Sequence, residues 1–230
     1  KRSSFRFGFK GSFFKEYYEE ALRKMSRFDL AIFDCDGVLL DSREANRAYY
    51  NAILEEFGRG SMNDKELSFV HMHTAEKSVK YLFRDDTAAQ KEALVYAQTL
   101  DYTRFLDCLT MEPGVGDTIE SIRPPMLTAV STNRSTTMSR VVEIFGLNKW
   151  FDIIVCALDV NNPKPDPEGV FKILEILGVE KDRAIYIGDS VVDEMVAYRA
   201  EIPLIAYKNR DLRAMFHVEH FDQIKTILFN

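Results

Sequence analysis

Apolar positions along the chain change period several times. From Phe13 to Arg27 the run FFKEYYEEALRKMSR sets Phe14, Tyr17, Tyr18, Ala21, Leu22 and Met25 at helical spacing. This predicts an amphipathic helix ahead of the fold proper, packed on the domain or on a neighbouring subunit. At Leu30-Ala31-Ile32-Phe33 the period breaks into a short continuous apolar run, the pattern of a strand buried on both faces, which ends in Asp34-Cys35-Asp36-Gly37. Similar runs recur from Leu127 to Ser131, Ile153 to Cys156, Ala184 to Ile187 and Leu204 to Tyr207. Between them lie helical faces: Met138, Val141, Val142 and Phe145 stopped by Gly146, then Val170, Phe171, Leu174 and Leu177 stopped by Gly178. Strand, helix, strand at this spacing predicts an α/β fold, a doubly wound parallel sheet covered by helices on both faces.

Residues 43–110 break the alternation. Tyr49, Tyr50, Ile53, Leu54 and Phe57, then Val79, Leu82 and Phe83, then Leu94, Val95, Phe105 and Leu106 follow helical spacing, with no β-branched run long enough for a strand. A segment of that length with its own apolar positions is a small domain rather than a loop. Met111-Glu112-Pro113-Gly114 reads as the return hinge. The expected division is an N-terminal extension over 1–27, a Rossmann-like core over 28–42 and 111–230, and a helical insertion over 43–110.

Composition narrows the class. With 46% apolar residues in 230, the chain can bury a full core, and its net charge of −6 disfavours a general nucleic-acid binder, which needs clustered Lys and Arg. Cys35, Cys108 and Cys156 are far apart and lack paired spacing, which argues against a disulfide framework or a structural zinc site and makes a reducing cytoplasm the expected location. No window approaches the ~18 consecutive apolar residues of a membrane span. The opening KRSSFRFGFKGSFF is too interrupted by glycine and charge for a secretory signal.

In an open parallel sheet, ligands bind outside the carboxyl ends of the strands. The residues that follow the apolar runs there are Asp34 and Asp36, Thr132 and Asn133, Lys164, then Gly188, Asp189, Ser190 and Asp193. Four carboxylates gathered at one edge repel, each pair at contact distance by roughly 4 kcal/mol at an effective dielectric near 20, so the set calls for a divalent cation. Oxygen ligands point to Mg²⁺, which shares its coordination with a substrate phosphate. Lys164 and a Thr132 hydroxyl would hold the remaining phosphate oxygens. Two aspartates one residue apart allow one to attack phosphorus while the other handles protons.

Four segments, FDCDGVLLDS (Phe33 to Ser42), AVSTNRS (Ala129 to Ser135), PKPDPEGV (Pro163 to Val170) and IGDSVVDEMVAYRA (Ile187 to Ala200), resemble in order the four motifs of the haloacid dehalogenase superfamily, phosphatase branch. The resemblance runs from Asp29 to about Tyr207, and the helical insertion is similar to the mobile cap of the subgroup containing phosphoglycolate phosphatases and β-phosphoglucomutases. It implies that Asp34 is the nucleophile that becomes an aspartyl phosphate. Asp36 would protonate the leaving oxygen and later activate water, with its backbone carbonyl on Mg²⁺. Thr132 and Lys164 would bind the transferring group, with Asn133 as a further contact; Asp189 would ligate Mg²⁺ directly, and Asp193 through water or by orienting Lys164. Ser131 is an alternative to Thr132, since register at a strand end is uncertain by one residue. Transition-state charge would fall to Mg²⁺, Lys164 and backbone amides such as the one after Asp34.

Specificity would come from the cap, where His71, His73, Lys77, Arg43 and Arg47 are candidates. Gly37 supplies a tight turn that aims Asp36 back at the site, and Cys35 is expected to be a small apolar filler. Dehalogenases and phosphonatases of the family lack the second aspartate, so Asp36 disfavours both; β-phosphoglucomutases carry a histidine near the cap entry where this chain has Asn46. The expected function is a Mg²⁺-dependent phosphatase acting on a small phosphorylated metabolite, phosphoglycolate being the nearest family substrate, as a monomer or homodimer without nucleic-acid or membrane partners. The alternatives are a phosphomutase and a non-catalytic scaffold that binds a partner through residues 1–27.

Overall fold

The computed structural model of the protein describes residues 27–229, so the helix expected from Phe13 onward lies outside the described residues. Strand β1 (Leu30–Phe33) is buried along its whole length. Successive side chains of a strand point to opposite faces. Here Ala31 and Phe33 enter one apolar cluster and Leu30 and Ile32 another, which is why the strand reads as a continuous apolar run. The chain then turns tightly: Leu40 N–H donates to the Cys35 carbonyl at 2.9 Å and Gly37 N–H to the Leu40 carbonyl at 2.8 Å. Two short strands, β2 (Leu40–Asp41) and β3 (Thr110–Met111), form an antiparallel ribbon that pairs Leu40 with Met111 and Asp41 with Thr110.

Between the two strands of that ribbon lie α1 (Arg43–Glu56), α2 (Asp64–Met72), α3 (Ala75–Leu82), α4 (Thr87–Thr99) and a 3₁₀ segment, Tyr102–Cys108. These elements surround an apolar cluster of their own, centred on Tyr49, Ile53, Leu67, Val79 and Phe83. Their starts follow from local chemistry. Asn63 caps α2 by accepting from the Lys65 and Glu66 amides, and Asp86 caps α4 by accepting from Ala88 and Ala89. Val95, expected on the apolar face, is exposed on α4.

The chain returns through α5 (Val115–Ile122) to β4 (Leu127–Ser131), then α6 (Met138–Phe145), β5 (Ile153–Val155), α7 (Glu168–Leu177), β6 (Ala184–Gly188), α8 (Val191–Ala200), β7 (Leu204–Tyr207), β8 (Phe216–Val218) and α9 (Phe221–Phe229). The strands other than the ribbon build one six-stranded parallel sheet ordered β5-β4-β1-β6-β7-β8. Helices α5, α6 and α9 cover one face, α7 and α8 the other, giving the doubly wound α/β architecture expected from the periodicity. On α7 the buried stripe is Val170, Ile173 and Leu174, whereas Phe171, expected in the core, is half exposed. β8 and the β2–β3 ribbon were not expected.

Register decides where the chemistry goes. Phe33 lies opposite Val130 on β4 and Ile187 on β6, so the residues that follow each of them leave the sheet at one level. The chain order turns back beside β1: β4 and β5 extend the sheet to one side, β6 to β8 to the other. Crevices at such a reversal, outside the carboxyl ends of the strands, are where open α/β sheets bind ligands.

Candidate active site

Asp34 follows β1 directly, its amide donating to the Ile187 carbonyl at 2.9 Å, so the strand end fixes its backbone. One carboxylate oxygen, Oδ1, accepts from Lys164 Nζ at 2.7 Å and from the Cys35 amide at 2.7 Å. The amide after Asp34 is therefore engaged by the Asp34 side chain rather than open toward a phosphoryl group. Lys164 Nζ also donates to Asp193 Oδ1 at 2.7 Å and to the Tyr186 hydroxyl at 3.2 Å. That hydroxyl lies 3.0 Å from the Ser131 carbonyl and 3.2 Å from Asp193 Oδ1, so its single proton serves one of these two acceptors. The Lys164 side chain is 6% exposed and that of Asp193 0%, so this ion pair is desolvated.

Asp193 is held from its own helix. Ser190 caps α8, its hydroxyl accepting from the Asp193 amide at 3.3 Å and donating to Asp193 Oδ2 at 2.6 Å. Asn133 Nδ2 donates to the Lys164 carbonyl at 2.9 Å and Asn209 Nδ2 to the Asp189 carbonyl at 2.7 Å, so neighbouring loops pin the chain at both residues. Two glycines allow the carboxylates their approach. A Cβ on Gly37, whose φ is +81°, would sit 2.1 Å from Asp189 Oδ2, and one on Gly188 would sit 2.3 Å from the Asp193 Cβ.

Among the described residues, Asp34, Asp189 and Asp193 each bring a carboxylate oxygen within 4.8 Å of the others. Lys164 is the ammonium set against these three carboxylates, and the surplus of negative charge shows in the titration of Asp34 and Asp189. Burial, then the charge of Asp193, push the Asp34 carboxyl well above its ordinary range, with Lys164 pulling the other way. Asp189 is pushed up to about 7 by burial and again by Asp193. Burial works against the Lys164 charge, but Asp193 and Asp34 outweigh it and hold the ammonium well above its ordinary range. An all-oxygen donor set with excess negative charge in a desolvated pocket fits a hard divalent cation such as Mg²⁺.

The site opens into a cavity of about 520 Å³ lined by Asp34, Asp36, Thr132, Asn133 and Lys164 from the sheet edge and by Asn46, Tyr49, His71, His73 and Tyr102 from the helical segment. Thr132 lines this cavity and its Oγ1 accepts from the Arg134 amide at 3.1 Å; Ser131 is buried behind it, with its carbonyl facing Tyr186. Asp36 lines the cavity with its carboxylate outside the three-aspartate cluster, in a two-pronged pair with Arg134 whose Nε donates to Oδ2 at 3.1 Å. Arg47, expected to contact substrate, is drawn off by Glu44 at 3.1 Å and Asp64 at 3.3 Å on the outer side of α1 and does not line the cavity. Arg43 reaches Ser68 instead, and Lys77 is also absent from the lining. Cys35 is buried and unpaired with other cysteines, as expected of a filler, and burial pushes its thiol up.

Sequence reasoning missed three contributors. Tyr186 was hidden inside an apolar strand run, where a single phenol reads as core. Arg134 adjoins Thr132 and Asn133 in AVSTNRS, and that adjacency was a usable signal. Tyr102 begins the 3₁₀ segment, and its hydroxyl donates to Asn46 Oδ1 at 3.0 Å while Asn46 Nδ2 lies 3.3 Å from His71 Nδ1.

Buried carboxylates in excess of one ammonium, gathered where a doubly wound sheet reverses, set this site apart from a dinucleotide-binding domain, whose first turn is glycine-rich. The family is specific: a model of haloacid dehalogenase-like hydrolases matches residues 31–207, and the chain belongs to that family. The pyrophosphatase PpaX of Listeria innocua is 30% identical over 175 residues, 74% of this chain and 78% of its own. A haloacid dehalogenase-superfamily hydrolase of subfamily IA from Geobacter sulfurreducens is 34% identical, with a TM-score of 0.78 over 88% of this chain and 97% of its own. A haloacid dehalogenase-like family protein from Streptococcus pneumoniae, 16% identical, shares the fold at a TM-score of 0.75 over 87% of this chain and 98% of its own. No helix among the described residues is long and apolar enough to cross a membrane.

Proposed function

We propose that the protein is a Mg²⁺-dependent phosphatase that hydrolyses a small phosphate monoester, or the related anhydride pyrophosphate, through an aspartyl phosphate on Asp34. The observation that carries the reading is Asp34 itself: a buried carboxylate at the central strand end, ion-paired to Lys164, clustered with Asp189 and Asp193, and facing the cavity. Asp34, Asp189 and Asp193 are the side chains that would hold Mg²⁺, with the Asp36 backbone carbonyl as a further ligand. Bound there, the ion neutralises the excess carboxylate charge and polarises phosphoryl oxygens.

The chain's own residues divide the rest. Asp34 forms the new oxygen–phosphorus bond as the leaving oxygen departs, and Asp36 gives that oxygen a proton. Water then attacks the acyl phosphate, Asp36 takes a proton from it, and phosphate leaves with Asp34 restored. Lys164 and Thr132 hold the transferring group, and Asn133 fixes the Lys164 backbone. Residues 43–110 serve as a cap that closes the cavity and excludes water during transfer. Pyrophosphate, named for the Listeria relative, and phosphoglycolate are the first substrates to test.

Phosphate release from an aryl phosphate and a metabolite panel, with Mg²⁺ and with chelator, tests the reading. Turnover should require the metal and vanish in Asp34→Asn. Activity that survives both changes removes the proposal.

A further inference from the structure

Arg134 is a buried cation on the wall of the cavity that the chemistry above does not use. Its side chain is only 6% exposed, whereas that of its partner Asp36 is 36% exposed and open to the cavity. The guanidinium directs Nε and Nη2 at both oxygens of Asp36, while Nη1 donates to Thr137 Oγ1 at 3.2 Å. Its Cζ lies 5.7 Å from the centre of the Tyr102 ring, which in turn is tied to Asn46. The fork is thereby held by a hydroxyl and an aromatic ring, and its two prongs meet Asp36, which lines the cavity with it.

The surroundings select for charge. The carboxylates lining the cavity are Asp34 and Asp36; the residues that the helical segment adds to the wall include Asn46, Tyr49, Tyr50, Tyr102, His71 and His73, which carry no negative charge of their own. A planar guanidinium with a single, replaceable carboxylate partner is the donor geometry that phosphate and carboxylate groups take up in bidentate fashion. Burying a cation on a cavity wall is costly without a paired anion, so the site requires one in every state. Asp36 supplies it in the structure.

We propose that Arg134 reads the leaving group: substrates that carry a second anionic group, phosphate or carboxylate, beside the scissile phosphate place it on the Arg134 fork. That anion takes over from Asp36, which is then free to face the leaving oxygen. The inference rests on the phosphatase reading and goes beyond it by assigning a substrate class to a residue outside the transfer machinery. A substrate with a neutral leaving group leaves the Arg134–Asp36 pair in place and is handled less well.

The test compares kcat/KM for pyrophosphate, for 2-phosphoglycolate and for an aryl phosphate, in Mg²⁺, for the natural protein, Arg134→Gln and Arg134→Lys. The expected loss in Arg134→Gln is about 100-fold on one or both anionic substrates, the size of a lost bidentate charge-assisted contact, and at least about tenfold smaller on the aryl phosphate. Which of the two is affected tells phosphate from carboxylate as the group read. Arg134→Lys should recover part of the loss, because it keeps the charge and forfeits the fork. A measurement on the natural protein alone guards against variants that fold poorly: phosphonoacetate should inhibit aryl phosphate hydrolysis about tenfold more strongly than ethylphosphonate. Equal losses on all three substrates, or equal inhibition by the two phosphonates, overturn the assignment. A natural protein inert toward all three removes the phosphatase reading and this inference with it, whereas an active enzyme with equal losses removes the inference alone.

Discussion

Replacing Lys164 by methionine removes the ammonium but keeps an unbranched side chain out to the ε carbon, and its consequences can be worked from the cluster. Lys164 donates at 2.7 Å to both Asp34 and Asp193, and its side chain is 6% exposed. Removing one partner from a buried ion pair costs about 3–5 kcal/mol because the remaining charge stays desolvated. At about 2–4 °C per kcal/mol for a protein of this size, melting in chelator should fall by roughly 6–20 °C. The deficit should depend on pH in a definite direction. The Asp34 carboxyl is already raised in the folded state, and Lys164 is one of the groups that restrain it, so the variant raises it further. A carboxyl raised on folding loses stability as pH climbs from its unfolded value through its folded one. The gap between the variant and the natural protein should therefore widen as pH rises from about 5 to about 8. Thermal unfolding by circular dichroism across that range, in chelator, measures it. A gap under about 2 °C near pH 8, or one independent of pH, would refute the account of a charge cluster balanced by Lys164. Mg²⁺ should narrow the gap, since it supplies the cationic charge that methionine removes.

Two further outcomes follow from the same geometry. Because Asp189 titrates near 7 when metal is absent, Mg²⁺ must displace a proton below that pH; its stabilisation of the fold should be larger near pH 8 than near pH 6, with apparent affinity falling by up to about tenfold per unit below the midpoint. Melting curves with and without Mg²⁺ at the two pH values check this, and equal shifts contradict it. Gly37→Ala places a Cβ 2.1 Å from Asp189 Oδ2 at a φ of +81°, so it should cost about 1–3 kcal/mol of stability and raise the Mg²⁺ concentration needed for turnover. A variant with unchanged melting and unchanged metal dependence would mean that Asp189 yields freely.

Much of the sheet was legible because a strand covered on both faces leaves no polar alternation. Leu30 to Phe33 and Ala184 to Ile187 can be recognised from composition alone, and the residues that follow them then locate the ligand edge. The helical segment was legible from spacing at Tyr49, Tyr50, Ile53 and Leu54, which are all buried on α1. Two-residue strands have no period to detect, so the β2–β3 ribbon was invisible, and three-residue β8 nearly so. The Arg134–Asp36 pair joins residues 98 positions apart, and no local pattern encodes such a meeting. Arg47 fails for the complementary reason: its expected role ignored the acidic neighbours Glu44 and Asp64, which satisfy it on the outer surface. Tyr186 shows a polar atom carried inside an apolar run, where burial and hydrogen bonding coexist.

The β2–β3 ribbon has an architectural consequence. Asp41 and Thr110 are paired across it, so the chain leaves the sheet and comes back at the same place. Joining neighbouring ends requires little of whatever lies between them, and the entropy of closing such an excursion grows only slowly with its length. The 43–109 excursion is in this sense a replaceable module: a different insert could be spliced across the same two residues, provided that it fills the places of Ala45, Leu106 and Leu109, which pack into the sheet's own apolar cluster. The helical wall of the cavity and the sheet edge that carries Asp34, Lys164, Asp189 and Asp193 can therefore change separately in one chain.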